Sequence, residues 1–151
     1  MAKASSYLGN GWGFPPTFIR VPGPLNARRG TSIRPRSGRV VMVSDETDVR
    51  ESLEILFNTA LGERVMQPRY GADLKYHVFE PMNATTLTFI EDLMRTAIIY
   101  HEPRIETDRL SVNPEPLEGR LLIEIDYRIR STNSRFNFVY PFYLTEAGQQ
   151  P

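Results

Sequence analysis

At 151 residues, with 40% hydrophobic and 24% charged side chains, the sequence has the length and apolar content of one folded domain with a real core. It contains no cysteine, which excludes disulfide staples and thiolate metal sites, and a reducing cytoplasm is the compartment that fits. The formal net charge of zero is unevenly spread: residues 1–44 hold seven Lys/Arg and no acid, whereas residues 45–151 hold eleven Lys/Arg and all eighteen Asp/Glu.

The N-terminal MAKASSYLGNGWGF has one lysine but no continuous apolar run, so it lacks the layout of a secretory signal, and no later segment is apolar for long enough to insert in a bilayer. Residues 1–38 carry five of the twelve prolines and six of the ten glycines, which favours extended and turn conformations and reads as a basic arm. Its basic residues are dispersed, singly except for Arg28-Arg29, among Pro and Gly with no nucleic-acid motif, so an acidic protein surface is the better match for them. Trp12, Phe14 and Phe18 are costly to leave in water, at about 2–3 kcal/mol for a large aromatic. The arm is therefore expected to lie on its own domain or on a neighbour.

The domain proper is expected over 39–145, with 146–151 as a tail. RVVMV from Arg39 reads as a strand, and Ser44 to Asp48 offers helix caps and acids suited to a helix N-terminus, which puts a helix start near Asp48. Val49, Leu53, Leu56, Phe57, Ala60 and Leu61 form its apolar stripe, and Gly62 is a plausible stop. A turn-rich segment follows, then a short helix with Leu74, Val78 and Phe79 that Pro81 ends. Asn83 or Thr85 caps a second long helix bearing Leu87, Ile90, Leu93, Met94, Ala97, Ile98 and His101 on one side, and Pro103 forces it to end near Glu102.

The rest is β. A strand over Ile105 to Val112 and a turn in NPEPLEG lead to RLLIEIDYRIR, where Leu121, Ile123, Ile125, Tyr127 and Ile129 alternate with polar or exposed positions. A last strand aligns Phe136, Phe138, Tyr140, Phe142 and Leu144 on one face, and Pro141 makes it an edge or ends its pairing. The fold class predicted is α+β: two long helices on one face of an antiparallel sheet of about four strands, preceded by the extended arm.

Few residues suggest catalysis. His77 and His101 have no metal-ligand spacing, there is no nucleophile motif, and no glycine loop opens a helix to hold a phosphate or other cofactor. An enzyme would have to be a muramidase-like glycoside hydrolase with Glu102 or Glu63 as its acid. Arg104 and Arg64 stand close to those carboxylates and favour the ionised form, which a general acid must avoid. Glu102-Pro103-Arg104 is better suited to ion pairs and hydrogen bonds, either across an interface or within the helix-to-strand corner itself.

The order Gly62-Glu63-Arg64, then Pro68, Tyr70 and Gly71, then Phe79-Glu80-Pro81, then Glu102-Pro103-Arg104-Ile105 and a final strand pair resembles the baseplate wedge, or sheath-initiator, proteins of contractile injection systems. These belong to contractile phage tails, type VI secretion baseplates and extracellular phage-tail-like particles. The likeness covers roughly 39–145, and GWGFPP in the arm is similar to some members; the long basic arm departs from the shortest ones. The resemblance implies a structural protein without a cofactor, despite the family's old lysozyme-like label. It implies six copies around the tail tube, anchored to wedge proteins through Glu102, Pro103 and Arg104. Sheath arms would add strands to its sheet, with Phe136, Phe138, Tyr140 and Phe142 as candidate contacts, and start sheath polymerisation. Tube or tube-initiator proteins are candidate partners of the arm. Such a protein is made in a bacterial or archaeal cytoplasm and built into a baseplate. A small regulatory adaptor on the same fold is a further alternative.

Overall fold

The computed structural model describes residues 8–21 and 37–144; the expected tail at 146–151 and the rest of the arm lie outside them. In chain order the elements are β1 (Asn10–Trp12), β2 (Phe18–Val21), β3 (Ser37–Val40), β4 (Met42–Ser44), α1 (Glu46–Asn58), a 3-10 helix (Leu74–Phe79), α2 (Ala84–His101), β5 (Ile105–Glu115), β6 (Arg120–Ile129) and β7 (Arg135–Tyr143). The protein is mixed α+β, its residues fall into two units, 1–51 and 52–151, and no described helix is long and apolar enough to cross a membrane.

The first unit is made of two-stranded antiparallel ribbons, β1 with β4 and β2 with β3. The single strand expected at 39–43 is therefore corrected: it is two short strands, and both pair with the arm. Val41 is the break, because its N–H goes to the Thr17 carbonyl at 3.0 Å and its carbonyl accepts from Gly13 at 2.9 Å. Each half is then free to take a different arm strand. A Cβ on Gly11 would run into the Asp48 carboxylate, which would have to move to admit it. In the ribbons Trp12 stands opposite Met42 and Phe18 opposite Val40.

α1 begins two residues before Asp48, with Glu46 and Asp48 in its first turn, where their charge suits the unpaired N–H groups. Val49, Leu53, Leu56 and Phe57 are buried as the stripe predicts. The stripe stops sooner than expected. The helix ends at Asn58, and Leu61 is 49% exposed in the following loop. α2 is capped as predicted by Asn83, whose Oδ1 accepts the Thr86 N–H at 2.9 Å, and it buries Ile90, Met94, Ala97 and Ile98.

Among the described residues the second unit contains one antiparallel sheet in the order β5-β6-β7, with three strands instead of about four. β6 alternates without exception between buried and half-buried residues. The register aligns Leu121, Ile123, Ile125 and Tyr127 with Phe142, Tyr140, Phe138 and Phe136, putting both rows on one face. Contacts reach this sheet from both helices: the Phe57 ring lies 6.3 Å from Phe138 and 5.7 Å from Tyr140, and Glu91 of α2 accepts the Val112 N–H at 3.2 Å. β5 runs on to Glu115, past the expected end, with a bulge between Thr107 and Arg109. Pro141 lies within β7 opposite Leu122, on an edge strand where a missing N–H is tolerated.

Candidate functional site

The sequence motifs converge where α2 ends. His101 is the last helical residue, and the Glu102 N–H still reaches the Ile98 carbonyl at 2.8 Å while its own φ of −130° turns the chain away. Pro103 cannot extend the helix. Arg104 then folds its guanidinium back: Nε donates to Glu102 Oε1 and Nη2 to Oε2, both at 2.6 Å. This is a fork-to-fork pair, the geometry in which a charge-assisted bond is strongest. The Glu102 side chain is 3% exposed and that of Arg104 29%, so the arginine closes over the carboxylate. The corner is tied to the sheet by Arg130, which donates its N–H to the Arg104 carbonyl at 3.0 Å and its Nε to the Ile105 carbonyl at 3.2 Å.

The loop after α1 wraps onto the same corner. Glu63 Oε2 accepts the Ala60 N–H at 2.9 Å, and the Gly62 N–H donates to the Pro68 carbonyl at 2.7 Å. Gly71 has φ +134°, and a Cβ there would strike the Thr59 carbonyl, so only glycine lets the loop close on itself. The Arg64 guanidinium lies 3.8 Å from the centre of the Tyr70 ring, a cation–π contact. Tyr70 in turn packs on His101 at 4.9 Å, whose Nε2 is 3.0 Å from the Arg69 carbonyl. Burial raises the Tyr70 phenol above its ordinary value; Arg64 opposes the rise and the Glu102 charge adds to it. Gly62, Glu63, Arg64, Pro68, Tyr70 and Gly71 thus share one cluster with Glu102 and Arg104.

The other residues singled out from sequence lie elsewhere. Phe138 and Phe142 are buried, and the Tyr140 hydroxyl donates to Asn58 Oδ1 at 2.8 Å. Burial, with Glu54 adding, raises the Tyr140 phenol, against the opposing Asn58 bond. Phe136 packs on Tyr127 at 5.9 Å. Of these four rings Phe138 and Phe142 are interior, while Phe136 and Tyr140 are half-buried. In the first unit Trp12, Phe14 and Phe18 are 64%, 54% and 69% exposed. Sequence reading missed Arg130 and Glu91. Both act on backbone groups more than twenty positions away, and no local pattern announces such a pairing.

The sequence profile of the family "Baseplate wedge protein gp25" matches residues 43–134, from within β4 to the turn before β7. The chain belongs to the baseplate wedge family of contractile injection systems. Baseplate wedge protein gp25 of Enterobacteria phage T4 is 32% identical over 83 residues, which are 54% of this chain and 61% of the phage protein. The match thus spans less than two thirds of that relative. A crystal structure from Geobacter sulfurreducens, of a protein provisionally called a tail lysozyme, is 50% identical with a TM-score of 0.66 and covers 73% of this chain and 100% of its own. The fold recurs in the baseplate of the anti-feeding prophage, at 23% identity, TM-score 0.58, and 93% and 90% coverage of the two chains. It recurs again in the type VI secretion baseplate complex, at 17%, 0.52, and 66% and 93%. Members of this family are structural parts of the baseplates of contractile phage tails and tail-like systems.

Proposed function

We propose that this wedge-family protein connects wedge proteins to the first sheath ring and initiates sheath polymerisation, with strands from sheath arms added to its sheet. The observation that carries the reading is the three-stranded sheet of 105–143, whose outer strands are paired on one side only among the described residues. Backbone groups on such an edge bind an added strand through hydrogen bonds, and the neighbouring side chains select it. Six copies would stand around the tube. The Glu102–Arg104 pair would set the shape of the corner, leaving exposed Pro103 and the partly exposed Arg104 to meet a wedge protein. The basic arm would run along an acidic neighbour, a tube or tube-initiator protein, which would cover Trp12, Phe14 and Phe18. Synthesis in a bacterial or archaeal cytoplasm would precede incorporation.

A hydrolase is the second reading, favoured by the name of the Geobacter sulfurreducens relative. Glu102 is a poor acid for it, because its carboxylate is closed under a guanidinium and cannot approach a glycosidic oxygen without breaking two short bonds. Glu63 is held by the Ala60 N–H. Glu102→Gln separates the readings: an initiator gives no turnover of peptidoglycan in either form and a variant deficient in baseplate or sheath docking. Turnover by the native protein that the substitution abolishes would overturn the structural reading. A small adaptor would bind a single partner and form no ring. Removing residues 2–36 tests the arm, since normal baseplate and sheath assembly without it would leave its docking role unsupported.

A further inference from the structure

The two edges of the sheet are built differently. In an antiparallel ladder the N–H and C=O of each residue point together toward the neighbouring strand or away from it, alternating along the chain. The bonds from Ile129 N–H to Ser134 O (2.9 Å) and Leu144 N–H to Gly119 O (2.8 Å) set the phase between β6 and β7. Even-numbered residues of β7 face β6, and Arg135, Asn137, Val139, Pro141 and Tyr143 turn their backbone groups outward. On the other side, the Arg130 N–H to Arg104 O bond (3.0 Å) turns Ile105, Thr107 and, beyond the bulge, Leu110, Val112 and Pro114 outward.

The outward row of β5 is largely used up. The Ile105 N–H is bonded to the Glu102 carbonyl at 3.3 Å, the Val112 N–H to Glu91 Oε1 at 3.2 Å, and Pro114 has no N–H to give. Thr107 and Leu110 remain, but the bulge lies between them and breaks the repeat a straight strand needs. β7 keeps an unbroken pair: Asn137 and Val139 present N–H and C=O at the two-residue repeat of an edge, and no strand among the described residues pairs with them. Pro141 marks where an added ladder stops. Half-buried Phe136 and Tyr140 flank the same window on the inner face.

We propose that β7 from Arg135 to Val139 is the strand-accepting edge of this sheet, and that Glu91 is the residue that closes the opposite one. The occupant is an extended segment of a second protein, apolar at the alternate positions that cover Phe136 and Tyr140, because only a strand matches outward N–H and C=O groups in this repeat. This assignment rests on the strand-addition reading and adds to it an edge, a window and a guard. A capping side chain, a proline and a bulge all blunt β5, whereas β7 carries only Pro141, beyond the Arg135–Val139 window.

The test is amide hydrogen exchange with residue-level fragmentation on the full chain, alone and assembled with the sheath protein. Expected is protection of Asn137 and Val139 that rises about tenfold on assembly, while Thr107 and Leu110 do not change. Val139→Pro, tolerated because that N–H points away from β6, is expected to weaken sheath attachment about tenfold with unchanged melting, and Val139→Thr to leave it intact. Glu91→Ala is expected to speed exchange at Val112 about tenfold, and unchanged exchange would remove its guarding role. Protection of Thr107 and Leu110 in place of Asn137 and Val139 would overturn the edge assignment while strand addition stands. Attachment with neither edge protected would overturn strand addition and the inference with it. Protection of Asn137 and Val139 in the free chain, through pairing with a second copy, would overturn the occupant.

Discussion

Residues 8–21 and the sheet of 105–143 are both rich in aromatics, yet they use them in opposite ways. In the sheet Phe138 and Tyr127 are almost wholly buried, and Phe57 reaches Phe138 and Tyr140 from α1. In residues 8–21 Trp12, Phe14 and Phe18 stay more than half exposed, while the facing Met42 is 48% exposed and the facing Val40 half-buried. A two-stranded ribbon has two faces and no layer of its own to set against either, whereas a three-stranded sheet with a helix above it has an interior. The difference teaches that Trp12, Phe14 and Phe18 are exposed surface, whereas Tyr127 and Phe138 belong to the core.

The comparison can be broken first in the sheet. Phe138→Ala is expected to cost about 3–5 kcal/mol in urea unfolding, the range for emptying a buried phenylalanine site. A loss under about 1 kcal/mol would mean that the β7 face is not the core it is taken to be. Next comes the corner. Arg104→Ala leaves the Glu102 carboxylate without its guanidinium, and about 3 kcal/mol is expected, at the low end for breaking a buried pair because Arg104 is itself partly open to water. If Arg104→Ala and Glu102→Ala each cost little, the pair does not hold the corner. Smallest is Trp12→Ala, within about 0.5 kcal/mol for folding, as for an exposed residue that supports no packing. Its effect is expected instead in incorporation into baseplates. A large loss of folding stability would show that the free chain already covers this ring.

Much of the second unit was legible in the sequence. The alternation in 120–130 placed β6 and its buried row, Asn83 marked the start of α2, and Pro103 its end. Those signals are local: a period of two, a side-chain oxygen three residues before an N–H, a ring that cannot continue a helix. The strand at 39–43 was legible only as a strand. Which chain it pairs with depends on where Thr17 and Gly13 bring their backbone groups, and their Pro- and Gly-rich surroundings carry no pairing signal. The overlong stripe of α1 failed for a related reason, since Ala60 and Leu61 keep helical spacing but the loop that closes through Gly71 takes the chain out of the helix.

The Glu102–Arg104 question shows the same division most clearly. Sequence by itself set a carboxylate two residues before an arginine, with a proline between them that stops a helix, and so determined that a charged corner would stand where α2 meets β5. Whether those charges turned inward or outward was beyond it, because i and i+2 side chains meet only if the backbone between them bends to bring them together. Tertiary structure decided that, through the φ of Glu102 and the hold of Arg130 on the Arg104 and Ile105 carbonyls. It decided in the same way that the β5 edge is capped at Val112, since the Glu91 carboxylate that does so comes from the middle of a helix packed beside the strand.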